Sequence, residues 1–169
     1  MGDEIINRVA NNKNLISFDL EDYYPEGERI LFDIKDWLYE GLLLREKDFR
    51  KHVSDHDWSQ YQDKYIALTC STDAIIPGWA YLLLTSVLIP YSKKVVVGSL
   101  ETLETIVYNE IINALDVSSY QDKLLIIKGC SNKPVPEGAY ISLIQKLQPI
   151  AKSIMYGEAC SSVPLFKRK

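Results

Sequence analysis

The tetrapeptide Tyr61-Gln62-Asp63-Lys64 recurs as Tyr120-Gln121-Asp122-Lys123, each time just before an apolar run that leads to a cysteine. At the same interval of 59 residues Pro77 falls on Pro136, Ala80-Tyr81 on Ala139-Tyr140, Leu84 on Leu143 and Leu88 on Leu147. Pro90 then falls on Pro149, Lys93 on Lys152 and Gly98 on Gly157, and a one-residue shift inside the loop brings Cys70-Ser71 onto Cys130-Ser131. A register kept over about forty residues reports a supersecondary unit used twice.

Each copy reads as strand, loop, helix, strand. Tyr65–Thr69 and Leu124–Lys128 are short, nearly continuous apolar runs, the pattern of strands buried on both faces of a parallel sheet. Pro77 and Pro136 open the next segments, where the missing N–H of proline costs little, and Pro90 and Pro149 close them. Within them Trp79, Leu82, Leu83, Ser86 and Val87, and in the second copy Tyr140, Leu143, Ile144 and Leu147, follow helical spacing. Lys93–Gly98 and Lys152–Gly157 return as strands, so each copy is a βαβ unit with a right-handed crossover. Between the copies Ser99 is placed to cap a helix whose apolar face holds Thr102, Leu103, Ile106, Val107, Ile111, Ile112 and Leu115.

The expected fold is one α/β domain over residues 1–169, with an extension at 1–60, the first repeat at 61–98, a linking helix at 99–119, the second repeat at 120–157 and a tail at 158–169. With the two first strands as neighbours, the four repeat strands make a central parallel sheet in the order 2-1-3-4. In the extension, Leu15–Leu20 and Glu28–Ile34 alternate like strands and Arg45–Val53 is helical, and these elements are expected to extend or cover the sheet.

A cysteine at the end of a parallel strand lies at the carboxyl edge, where open α/β sheets place their ligands. Cys70 and Cys130 both do so, and Cys160 follows the last repeat strand, so the expected sheet gathers all three thiols at one rim. Soft thiolates near helix N-termini suit zinc or iron in an iron–sulfur cluster. Asp73, Glu158 and His56 are the side chains at hand for a fourth position, and an external thiolate or a partner protein is another source. Asp73 serves equally well as the cap of the following helix, with Asn132 in the corresponding place. The expected function is a metal- or iron–sulfur-binding accessory protein using Cys70, Cys130, Cys160, Asp73 and Glu158. One alternative is a thiol enzyme or persulfide carrier in which Lys128 and Lys133 lower the pKa of Cys130. Another is a scaffold without chemistry that binds a partner through its acidic, aromatic N-terminal surface.

Other patterns carry less. Asp19, Glu21, Asp22, Glu26 and Glu28 suit a hard cation or a basic partner, but a solvated loop explains them as well. His52 and His56 stand four apart without the glutamate of HExxH. No glycine-rich nucleotide loop and no GxSxG elbow occurs. The repeated YQDK is read as structural, its tyrosine packing under the sheet and its Asp-Lys turning into the strand.

A formal net charge of -4 argues against a broad nucleic-acid footprint, and no apolar run approaches the roughly 18–20 residues of a membrane helix. The opening MGDEIINRVANNKN lacks the regions of a secretory signal. The chain is therefore expected in the cytoplasm, where thiols stay reduced.

The segments DLEDYYPEGERILFDIKDWLYEGLLLREKDF, HDWSQYQDKYIALTCSTDAIIPGWAY and PIAKSIMYGEACSSVPLFK resemble a bacterial family known as domain of unknown function 2480, along essentially the whole chain. The resemblance implies no activity and no site residue. It does imply a setting, because genes of that family often lie beside those of Suf-type iron–sulfur cluster assembly. Iron–sulfur assembly proteins are accordingly the expected partners.

Overall fold

The computed structural model describes residues 14–129, 132–158 and 161–169. In chain order the strands are β1 (Leu15–Phe18), β2 (Arg29–Asp33), β3 (Tyr65–Thr69), β4 (Lys94–Val97), β5 (Leu124–Ile127), β6 (Ser153–Glu158) and β7 (Ser161–Lys167). The helices are α1 (Glu46–Asp55), α2 (Gly78–Leu88), α3 (Leu100–Ala114) and α4 (Glu137–Leu147). The chain divides into two compact units: an inserted unit, Pro25–Val107, and a terminal unit made from the residues on either side of it. Among the described residues no helix is long and apolar enough to cross a membrane.

Both repeats form the expected βαβ unit, β3-α2-β4 and β5-α4-β6, but they do not share one sheet. The sheet of the inserted unit runs β2-β3-β4 and that of the terminal unit β1-β5-β6-β7. This corrects the order 2-1-3-4. The reason is that both edges of each central strand are occupied: β3 pairs in parallel with β2 and β4, and β5 with β1 and β6. The 1–60 segment extends the sheets as expected, giving one strand to each.

Those two strands are themselves a repeat. Ile16, Phe18, Asp19, Leu20 and Asp22 recur fourteen residues later as Ile30, Phe32, Asp33, Ile34 and Asp36. In each copy the phenylalanine and the residue after the aspartate are buried. The aspartate caps a short 3₁₀ turn: Asp19 accepts from the Glu21 N–H at 2.9 Å and Asp33 from the Lys35 N–H at 3.1 Å. Phe18 packs edge-on against Tyr120, and Phe32 against Tyr61. The first tyrosine of each YQDK thus closes on the strand that the N-terminal repeat supplies to its sheet.

The remainder of YQDK is a turn. Asp63 and Asp122 have positive φ, 59° and 56°, the left-handed region that aspartate tolerates better than most side chains. The Asp63 N–H donates to the Tyr91 carbonyl and the Asp122 N–H to that of Ile150, both at 2.9 Å. The turn therefore ties the entry of the central strand to the chain leaving the helix, as its structural reading requires.

α2 turns a different stripe to the core from the expected one, whereas α4 buries Leu143 and Leu147 as expected. α2 buries Ala80, Leu84 and Leu88, and α4 buries Ala139, Leu143 and Leu147. Leu82 and Ser86, placed on the inner face by spacing, point outward. α2 is apolar almost all round, so periodicity alone does not select its core face. α3 is capped by Ser99, whose hydroxyl accepts from the Thr102 N–H at 3.1 Å. It buries Leu103, Glu104, Val107, Tyr108 and Ile112. The expected tail holds β7, which adds antiparallel to β6 as an edge strand. An edge accommodates Pro164, whose missing donor disfavours an interior strand.

Candidate functional site

The carboxyl edge of each sheet is built alike, from the end of the N-terminal strand, the 3₁₀ turn after it and the loop that follows the central strand. In the inserted unit Cys70 directly follows β3, as expected. It is half-buried, a free thiol, and its Sγ lies 3.3 Å from the Thr72 hydroxyl. Asp33, at the end of the neighbouring β2, accepts from the Ser71 N–H at 3.1 Å and so fastens the residue beside the thiol. Burial pushes the Asp33 carboxyl up, but hydrogen bonds from Ser71 and Lys35 and the Lys35 charge outweigh it and hold the pKa below its usual value. Tyr81, in the first turn of α2, faces the same loop: burial first, and then the charge of a Cys70 thiolate, push its phenol up.

In the terminal unit Asp19 follows β1 and lies 3.3 Å from the Lys128 ammonium. The hydrogen bond and charge of Asp19 raise the Lys128 pKa against desolvation, with Glu158 and Asp22 adding to the effect. Here Glu21 holds the loop after β5, its Oε1 accepting from the N–H groups of Asn132 and Lys133, the latter at 2.7 Å. The Lys133 ammonium lies over the Tyr24 ring, 4.9 Å from its centroid. Tyr156 of β6 donates to the Gly129 carbonyl at 3.4 Å, and the ring leaves Gly129 no room for a side chain.

Of the residues expected to form the site, Cys70 and Asp73 belong to the inserted unit and Glu158 to the terminal one. Cys130 and Cys160 lie outside the described residues. Asp73 is exposed and does not cap α2, which starts after Pro77 with no side-chain cap. Asn132 likewise is not the cap of α4, which starts after Pro136. Glu158 is exposed at the end of β6. Among the described residues no three histidine, cysteine, aspartate or glutamate side chains are grouped so as to hold a metal.

The two histidines are packing groups. His56 Nε2 is 2.8 Å from the Tyr61 hydroxyl, and its ring contacts Phe32, Trp37 and Trp58. His52 stacks on Trp37 with centroids 5.3 Å apart. The acidic stretch is largely engaged: Asp19, Glu21 and Asp33 hold turns and loops, and Glu28 pairs with Lys64 at 2.7 Å. The roles of Asp19, Glu21 and Asp33 at the edges escaped sequence reasoning; a self-comparison at fourteen residues pairs Asp19 with Asp33, whereas Glu21 falls on Lys35 and carries no such signal.

The chain belongs to the family described as Protein of unknown function (DUF2480), whose model matches residues 3–168. No curated protein and no solved structure matches it.

Proposed function

We propose that the protein is a metal- or iron–sulfur-cluster-binding accessory protein of the reducing cytoplasm. Its working groups are Cys70, Cys130 and Cys160, with Asp73 and Glu158 as further donors and iron–sulfur assembly proteins as partners. One observation carries the reading. β5 and β6 are parallel hydrogen-bonded neighbours, with Ile127 opposite Tyr156. The last described residues before two of the cysteines, Gly129 and Glu158, stand beyond or at the carboxyl ends of those strands. The chain thus approaches positions 130 and 160 from the same edge of one sheet, and Cys70 follows the corresponding edge in the inserted unit. Thiolate ligands favour zinc or iron over hard cations.

The surroundings favour a ligand over a nucleophile. A nucleophilic Cys130 draws on free cations to lower its pKa, whereas Lys128 is paired with Asp19 and Lys133 lies over Tyr24. Titration of the reduced chain with cobalt(II) tests the proposal, because thiolate coordination gives a sulfur-to-metal charge-transfer absorption. The expected result is saturable absorption that Cys130→Ser and Cys160→Ser each reduce strongly. Absorption unchanged in both variants, or absent from the wild type, contradicts it.

A further inference from the structure

At the interval of 59 residues, Ala67 and Val96 of the inserted unit fall on Ile126 and Met155 of the terminal unit. Each two lie opposite one another on neighbouring parallel strands. None of the four belongs to the side that carries the repeat's own helix. Ile66, Leu68 and Val95 pack with α2, and Leu125, Ile127 and Ile154 with α4, so by alternation Ala67, Val96, Ile126 and Met155 point to the other side of their sheets. In the inserted unit the start of α3 covers that side. Arg29, opposite Tyr65 in the register, reaches Glu104 of α3, Leu103 and Val107 are buried, and Ala67 is 0% and Val96 7% exposed. α3 follows β4 and therefore runs back from the carboxyl edge towards the amino edge. In the terminal unit β6 is followed instead by strand β7. Both described helices of that unit, α4 and the end of α3, pack on the side of Leu125 and Ile127. Ile126 is nevertheless only 3% exposed.

We propose that the chain's own residues 1–13 cover this side of the terminal sheet, in the place that α3 takes in the inserted unit. Parallel strands are covered on both faces, and the burial of Ile126 on an interior strand shows a face that is not open to water. Chain continuity selects the occupant. Residue 13 stands two before Leu15, which lies opposite Leu124 in the register and so on the same side of the sheet as Ile126. A helix that ends at the amino edge of β1 runs antiparallel to the strands, the direction of α3 on its own sheet. The sequence supplies the matching surface. Ile5, Ile6, Val9 and Ala10 gather on one side of a helix, and Asp3, Glu4, Asn7, Arg8 and Asn11 occupy the rest. A helix over residues 3–11 is about 14 Å long, the length of a four-residue strand such as β5 at about 3.3 Å per residue. A second copy or a separate protein competes poorly for the face, because a tethered segment acts at an effective concentration on the order of mM.

Nuclear Overhauser spectroscopy of the full chain, labelled at its isoleucine, leucine and valine methyl groups, reads the contact directly. The expected result is cross-peaks from the Ile126 methyls to those of Ile5, Ile6 or Val9, kept at full strength when the labelled chain is mixed with an excess of unlabelled chain. Val9→Asp is expected to lower the midpoint of urea unfolding, and Asn11→Asp, on the polar side of the same segment, to leave it where it is. Ile126 cross-peaks that include none of those three residues overturn the proposal. So do cross-peaks that fade on mixing, which would belong to a second copy, and a midpoint that Val9→Asp does not move. If Val9→Asp fails to fold, the wild-type cross-peaks decide.

Discussion

Arg29 starts an edge strand and has partners on three sides. Its guanidinium binds Glu104 of α3 at 2.6 Å, donates to the carbonyls of Pro25 and Gly27, and lies over the Tyr65 ring. Glu104 is only 6% exposed, so removing the cation leaves a carboxylate in a site with little water. Arg29→Met is expected to cost about 3–5 kcal/mol, measured by urea unfolding. The double variant with Glu104→Met recovers much of that loss, because no charge remains buried. His56 has the opposite sensitivity. Its burial among aromatic rings lowers its pKa from the ordinary value of 6.5, against the pull of Asp57. A depressed histidine favours folding while neutral, so its contribution is intact above the ordinary value and is lost as pH falls through that value towards the folded one. Wild-type stability is expected to drop between about pH 7.5 and pH 5 more steeply than that of His56→Gln; parallel pH profiles contradict this assignment.

At the scale of the element, the repeated turn makes the sharpest statement. Asp63 and Asp122 occupy the same left-handed conformation and donate to equivalent carbonyls. A β-branched residue tolerates that region poorly. Asp63→Val and Asp122→Val are each expected to destabilise by about 1–2 kcal/mol, and glycine at either position to be close to neutral. A valine variant as stable as wild type contradicts the turn role. The turn was legible in the sequence because two copies of it exist, and so were all four strands and both helices of the βαβ repeats. The core face of α2 was not: Leu82 and Leu84 are equally apolar, and only the packing decides that Leu84 is inside. β7 was hidden by Pro164, which reads as a break unless the strand is known to be an edge.

For the whole molecule, the decisive feature is that each βαβ repeat receives a third parallel strand from the first forty residues. Ile16 to Asp22 matches Ile30 to Asp36 at only five positions, a short signal beside the long repeat that follows. Missing it left β3 and β5 with free edges and suggested that they pair with each other. The structure gives each its own partners, and with them a carboxylate, Asp33 or Glu21, that holds the loop after the central strand. The place of Cys70 at the carboxyl edge was legible because it directly follows the apolar run of a buried strand. The carboxylates that shape that edge were not, because they arrive from a different part of the chain. The most direct test of the proposed function is the iron, zinc and acid-labile sulfide content per chain of protein purified without air and without a metal-binding tag. Zinc near one per chain, or iron accompanied by sulfide, reduced by substitution of Cys130 or Cys160, is the predicted result. Protein free of all three, or holding them undiminished without those cysteines, would contradict it.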